Sequence, residues 1–518
     1  MDMFIKLAML VVFFGTMIGI GLYCRRHSTD VNGFVLGGRS VGPWLTAFAY
    51  GTSYFSAVVF VGYAGQFGWK YGIAATWAGI GNAIIGSLLA WAVLGRRTRV
   101  MTQHLDSATM PQFFEKRFAS KQLKLAASAI IFIFLIPYTA SLYNGLSRLF
   151  GMAFDIDYSV CVIVMAILTG IYVIAGGYMA TAINDFIQGI IMIGGIIAVI
   201  AAVLNAQGGL LEAVNKLAQV SDPAVSDAPG VFASFFGPDP VNLLGVVILT
   251  SLGTWGLPQM VQKFYAIKNE QAINKGMIIS TVFALLVAGG CYFLGGFGRL
   301  FSDQVNIAVG GYDSIIPTML SGLPAVLIAV VVILVLSASM STLSSLVLAS
   351  ASTLTLDFIK GSVVKDMDEK KQLKCMRWLI VVFIAVSVVL AIVQYKSNVT
   401  FIAQLMGVSW GALAGAFLAP FLFGLYWKRT TAAGVWVSFV FSTVVMLGNM
   451  LVKGMFPAML QSPINAGAFC MLAGLVIVPV VSLFTRKPDQ ALLDHVFSCY
   501  DRKVLVSVKE SIGESEEA

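Results

Sequence analysis

Charge is what this sequence has least of. Asp, Glu, Lys and Arg make up 11% of its 518 residues, while 58% are hydrophobic. A soluble domain carries roughly 25% charged residues, so a soluble enzyme or soluble binding module is excluded. Histidine is scarce as well: His27, His104 and His495 all fall in polar segments. The six cysteines (Cys24, Cys161, Cys291, Cys375, Cys470, Cys499) stand singly, with no Cys-x-x-Cys pair and no cysteine–histidine cluster. That excludes a disulfide framework and a zinc site. There is no nucleophile–base pair and no appended signalling or catalytic region to support a membrane enzyme or receptor. The net charge of +8 would suit nucleic acid, but the basic residues sit in loops between apolar runs, where they orient a membrane protein.

Apolar runs of about 20 residues, each long enough to cross a bilayer, recur along the chain. With the first, 4–23, taken as span zero, the runs that follow are 43–68 (span one), 73–95 (two), 122–150 (three), 159–175 (four) and 182–204 (five). Then come 241–266 (six), 275–298 (seven), 324–356 (eight), 376–395 (nine), 398–426 (ten), 431–452 (eleven) and 464–485 (twelve). This predicts an all-α membrane protein of about 13 transmembrane helices. Span zero is followed by Cys24-Arg25-Arg26, with its charge after the apolar part, the reverse of a signal peptide. It reads as a retained span with its N-terminus outside. Alternating crossings then place 26 of the 33 Lys and Arg on the inner side, Arg39, Arg99, Lys263 and the loop after span eight among them. This predicts a cytoplasmic C-terminus in a cell membrane, with a bacterial inner membrane the expected location. Two longer polar loops, 205–240 and 299–323, fall outside, and the tail 486–518 ends acidic in Glu514, Glu516 and Glu517.

Two spans are interrupted. Span one reads Gly51-Thr52-Ser53-Tyr54-Phe55-Ser56 in its middle, and span six reads Gly253-Thr254-Trp255-Gly256-Leu257-Pro258. Glycine and proline free backbone groups that lipid cannot satisfy, so such breaks belong against protein, ions or water. The breaks lie five spans apart. Five is odd, so repeats beginning at them would have inverted topology, the pattern that points to a transporter's midplane site. Ordinary helix packing also uses glycine. In span eight, Ala338, Ser341, Thr342 and Ser345 share one face. It offers the oxygen ligands hard cations prefer, and equally the small residues that let helices pack closely. Asp185, in Asn184-Asp185-Phe186 early in span five, is either an acid favoured by a helix N-terminus or a carboxylate on a cation path.

Four segments together resemble the sodium:solute symporters, whose members carry proline, pantothenate, sialic acid, glucose or iodide. They are Phe34-Val35-Leu36-Gly37-Gly38-Arg39-Ser40; Gly176-Gly177 with Asn184 to Gly189; Met340-Ser341-Thr342-Leu343-Ser344; and Gly415 to Phe421 ending in Tyr426-Trp427-Lys428-Arg429. The resemblance implies a LeuT-like core of two inverted five-helix repeats, 31–204 and 241–429. Span zero (1–30), the outer loop 205–240, two C-terminal spans (430–485) and the tail complete the chain. It also implies a sodium ion held by the Thr52, Phe55 and Ala338 carbonyls and the Ser341 and Thr342 hydroxyls, and a second sodium at Asp185, Ser341, Ser344 and Ser345. Solute would meet Ser53, Tyr54, Ser56, Tyr138, Thr254, Trp255, Gln259 and Gln404. Where the proline carrier has aspartate, tryptophan and tyrosine, this chain has Tyr54, Thr250 and Thr254, which speaks against proline; span three lacks a central arginine, which speaks against sialic acid. The expectation is a symporter importing a small organic acid or amino acid with sodium, its partners being the solute and the bilayer, with no nucleic acid and no obligate protein partner. Proton coupling and a sugar substrate are the alternatives within the fold, and an ion channel or membrane receptor those of another class.

Overall fold

The computed structural model describes residues 2–25, 29–154, 157–226, 228–360, 363–364, 367–397, 402–452 and 454–501. Arg26 and the tail from 502 lie outside them. Helices dominate; among the described residues the only strand-like pairing is three isolated bridges. Ten helices are long and apolar enough to cross a membrane, or 11 if the bent pair Pro240–Gly256 and Pro258–Ala266 counts as one. Two of these, Val58–His104 and Tyr158–Ala206, have 47 and 49 residues. At 1.5 Å per residue each is about twice the length a bilayer needs. The first turns at Gly72–Ala75. The second turns at Gly177, whose φ of 55° and ψ of −146° lie outside the helix. Only glycine takes such a backbone easily, and an added Cβ would also come 2.8 Å from the Phe34 carbonyl oxygen. Spans four and five thus meet at a single residue.

Burial shows where the bundle's centre lies. Span ten (Ile402–Tyr426) is 89% buried over its apolar window and span eight (Ala325–Ile359) 78%, whereas span zero is 22% buried. An apolar helix buried all round belongs to the core of a large bundle, and one exposed on most sides faces lipid. Span eight packs against spans one, three, four and five, and span ten against three, six, eleven and twelve.

Both expected breaks are present and match in form. The first half of span one, Pro43–Tyr54, ends at Phe55 with φ −88° and ψ 118°. The first half of span six, Pro240–Gly256, ends at Leu257 with φ −78° and ψ 123°. In each case one extended residue interrupts the helical hydrogen bonding, and a second helix follows. Pro258 starts the second half of span six, at a position where its missing N–H costs nothing. In span one the Ser56 hydroxyl accepts from Val58 N at 3.2 Å.

Candidate ion and solute site

The break in span one frees the Thr52 and Phe55 carbonyls, and the polar face of span eight meets them. Ser341 Oγ donates to Thr52 O at 3.2 Å and to Ala338 O at 3.1 Å. Thr342 Oγ1 lies 3.0 Å from Thr52 O, 3.1 Å from Phe55 O and 3.1 Å from Ala338 O. The Thr52 hydroxyl is turned back onto Phe48 O at 2.8 Å, so this residue offers its backbone oxygen. All five residues named from the sequence come together, every one of them 0% exposed. Three carbonyls and two hydroxyls make a neutral set of hard oxygen donors, suited to a small cation and without a group that could take up a proton in its place. Turning the two hydroxyl hydrogens outward presents five lone pairs to one point.

The second expected group is arranged differently. Asp185 is 0% exposed and lies eight residues beyond Gly177, about two helical turns, so the helix dipole, which fades within the first turn, does not account for it. Neither of its carboxylate oxygens accepts a hydrogen bond. Ser344 Oγ bonds to Ser341 O on its own helix, and Ser345 Oγ meets Ser53 Oγ at 2.9 Å. The residue facing Asp185 is Lys263, with Nζ 3.8 Å from Oδ2. The sequence reading counted Lys263 among the inner-side charges, at the inner end of span six. It lies in the second half of span six and is 2% exposed, so it drops out of the loop charge count. A lysine only five residues past Pro258, followed by Phe264 and Tyr265, was the available signal.

Of the residues expected to meet solute, Gln259 stands out. It is 0% exposed, it begins the second half of span six, and neither its amide nitrogen nor its oxygen has a partner. Tyr138 and Trp410 pack edge-on at 5.9 Å between ring centres, and neither the Tyr138 hydroxyl nor Trp410 Nε1 has a formed hydrogen bond. The sequence reading missed Trp410, a bulky ring in the small-residue run Ser409-Trp410-Gly411. Span six makes room for it at Gly253, where an added Cβ would lie 2.6 Å from the ring. Ser53 and Ser56 line the break in span one, as already described. Tyr54 ends the first half-helix there, its side chain outside the described atoms. Gln404 is half-buried in the first turn of span ten. Thr254 and Trp255 use their polar atoms on span two: Thr254 Oγ1 bonds to Gly86 O at 2.9 Å and Trp255 Nε1 to Ile85 O at 2.9 Å. The structure therefore does not bring these two to Tyr138 and Gln259.

An amide buried with both atoms unbonded costs about 1–3 kcal/mol. Gln259→Leu should accordingly leave the protein as heat-stable as wild type or more so, while weakening solute binding about tenfold, measured by thermal shift and by half-saturating solute concentration. A fall in stability with unchanged solute affinity would make Gln259 a packing residue.

The two ends of the bundle differ. On the side of the long loops, a cavity of about 770 Å³ opens among Tyr71, Asn242, Arg299 and Tyr312. On the opposite side, the pocket among Thr109, Gln262, Tyr265 and Thr353 holds about 10 Å³. That side is clasped. Val41 N bonds to Ala266 O at 3.1 Å and Lys268 N to Val41 O at 3.1 Å. Arg39 reaches Ser107 O at 2.6 Å and Tyr265 O at 3.3 Å, and Arg99 reaches Ile267 O at 2.5 Å.

A sequence model of the sodium:solute symporter family matches residues 34–441. The chain is 28% identical over 485 residues to the osmoregulated proline transporter OpuE of Bacillus subtilis (strain 168), covering 93% of this chain and 95% of that one. It is 29% identical over 503 residues to a sodium/proline symporter of Staphylococcus aureus (strain JH9), covering 93% of each. Among solved structures, an outward-open, substrate-bound Na+-coupled sialic acid symporter superposes with a TM-score of 0.74 at 16% identity, over 94% of this chain and 98% of that one.

Proposed function

Because the chain belongs to the sodium:solute symporter family, we propose that it imports a small amino acid together with sodium by alternating access, with proline the first candidate. The observation that carries this reading is the meeting of the Thr52, Phe55 and Ala338 carbonyls with the Ser341 and Thr342 hydroxyls at the break in span one. An ion there bridges spans one and eight and favours the form open toward the long loops. Solute then binds beside the same break, among Ser53, Ser56, Tyr138, Gln259 and Trp410. The wide side closes, the clasp at Arg39 and Arg99 opens, and sodium and solute leave to the cytoplasm.

Proline gains support from the two full-length relatives and from where the departures fall. Thr254 is bonded to span two, and the Thr250 hydroxyl is bonded to Val246 O at 2.9 Å on its own helix. Neither residue faces Tyr138 and Gln259, so two of the three substitutions that spoke against proline sit away from the proposed solute space. The matched breaks support two inverted five-helix repeats, and the turns at Gly72–Ala75 and Gly177 support 13 spans. Uptake of radiolabelled proline and a panel of other amino acids, organic acids and sugars into proteoliposomes tests the reading. Saturable uptake that needs an inward sodium gradient is expected. Uptake driven by protons alone, or a sodium-independent conductance, would overturn it.

The orientation has its own test. Single cysteines at Lys371 and Val225, in a variant stripped of its six native cysteines, should label from the cytoplasmic and outer sides respectively. Labelling of position 371 from outside only would reverse the topology.

A further inference from the structure

The fold places Lys263 inside the bundle as a buried cation. Its ammonium donates to Ser345 Oγ at 3.1 Å, lies 3.8 Å from Asp185 Oδ2 and sits 5.0 Å from the centre of the Tyr178 ring. Burying a charge is costly unless an opposite charge and hydrogen bonds compensate, and these three groups supply that compensation. Asp185 and Ser345 are also two of the oxygen donors that the family resemblance implies for a second sodium. A sodium ion added there would lie within a few ångströms of a fixed ammonium in a buried, low-dielectric setting, where like charges repel strongly.

We infer that the Lys263 ammonium is itself the second cation, tethered in the place between Asp185 and Ser345, so that one sodium, at the break in span one, couples transport. The inference rests on the proposed sodium symport and specifies its stoichiometry. A tethered cation holds spans five, six and eight together through Asp185, Lys263 and Ser345, and reaches span one through the 2.9 Å contact of Ser345 with Ser53. Unlike a free ion it is never released, so it draws nothing from the sodium gradient.

Equilibrium binding of radiolabelled sodium to the purified full-length protein, together with reversal potentials of the reconstituted carrier, tests this. Wild type should bind one sodium and move one per solute, with a hyperbolic sodium dependence. Lys263→Ala frees space beside an unpaired carboxylate and should bind two, with a sigmoidal dependence. Adding Asp185→Asn to that variant should return the count to one. A wild-type count of two would overturn the inference and leave the symport reading standing, as would a count of one in Lys263→Ala. Binding of no sodium by wild type would overturn the symport reading itself. Should Lys263→Ala not accumulate, the wild-type count decides alone.

Discussion

Thr342→Ala should raise the sodium concentration for half-maximal uptake by about tenfold or more, and Ser341→Ala should act in the same direction. Thr342 Oγ1 touches all three carbonyls of the site, so its loss removes one of five donors and the group that draws the other three together. A tenfold change corresponds to about 1.4 kcal/mol, a modest demand on one ligand of a buried cation. A structural role alone predicts something else. Each hydroxyl donates to neutral carbonyls, and losing such a bond costs about 1 kcal/mol of stability whether or not sodium is present. Thermal unfolding separates the two. An ion that binds only the folded form stabilises it in proportion to the logarithm of its concentration over Kd, so the variants should lose the sodium-dependent rise in Tm. Equal sodium dependence in wild type and both variants would return this face of span eight to helix packing.

Removing both arginines of the clasp should open the narrow side. Arg39 and Arg99 lie at the start of span one and the end of span two, and both bond to backbone oxygens at the end of span six. Hydrogen bonds from a charged group contribute about 1.5–3 kcal/mol each. Losing roughly 2 kcal/mol from the closed form shifts the closed-to-open ratio about 30-fold. In Arg39→Ala/Arg99→Ala a reporter cysteine at Thr353, which borders the residual 10 Å³ space, should label faster from the clasped side. Sodium should slow that labelling, since it favours the opposite form. Labelling as slow as in the intact protein would mean that the Val41 pairing with Ala266 and Lys268 closes this side alone.

The coupling energy follows from the ion count. At 100 mV one sodium supplies roughly 2.3 kcal/mol, about a 50-fold accumulation of a neutral solute. Two would supply about 4.6 kcal/mol, beyond a thousandfold. The steady-state accumulation ratio therefore gives a second reading of the same stoichiometry.

The long helices were legible because a bilayer demands runs of a set length, and the sequence supplies them with loops between. Both breaks could be read from glycine and proline, and the oxygen-bearing residues that meet at the first of them from spacing on span eight joined to the family's motifs. What could not be read was rotation. Thr254 and Trp255 precede Leu257 and Gln259 follows it. One extended residue resets the helical phase, so neighbours in sequence face span two on one side of the break and the solute space on the other. The depth of Lys263 was hidden for a related reason. A lysine near the end of an apolar run ordinarily marks the membrane edge, and only the packing of spans five and eight around it shows otherwise. Trp410 went unnoticed because an aromatic ring in an apolar helix is unremarkable until a glycine opposite, Gly253, is seen to leave room for it.

The single-residue turn at Gly177 makes the stretch up to Asp185 a ruler. No loop lies between the kink and the carboxylate to absorb a change in length. Each inserted or deleted residue would rotate everything beyond it by about 100° and advance it by 1.5 Å. One insertion between 178 and 184 would carry Asp185 away from Lys263 and towards another neighbour. Relatives that keep this pair should therefore keep eight residues from the turn to the acid. A tag or fusion meant to leave transport intact does not belong at the apparent gap between spans four and five.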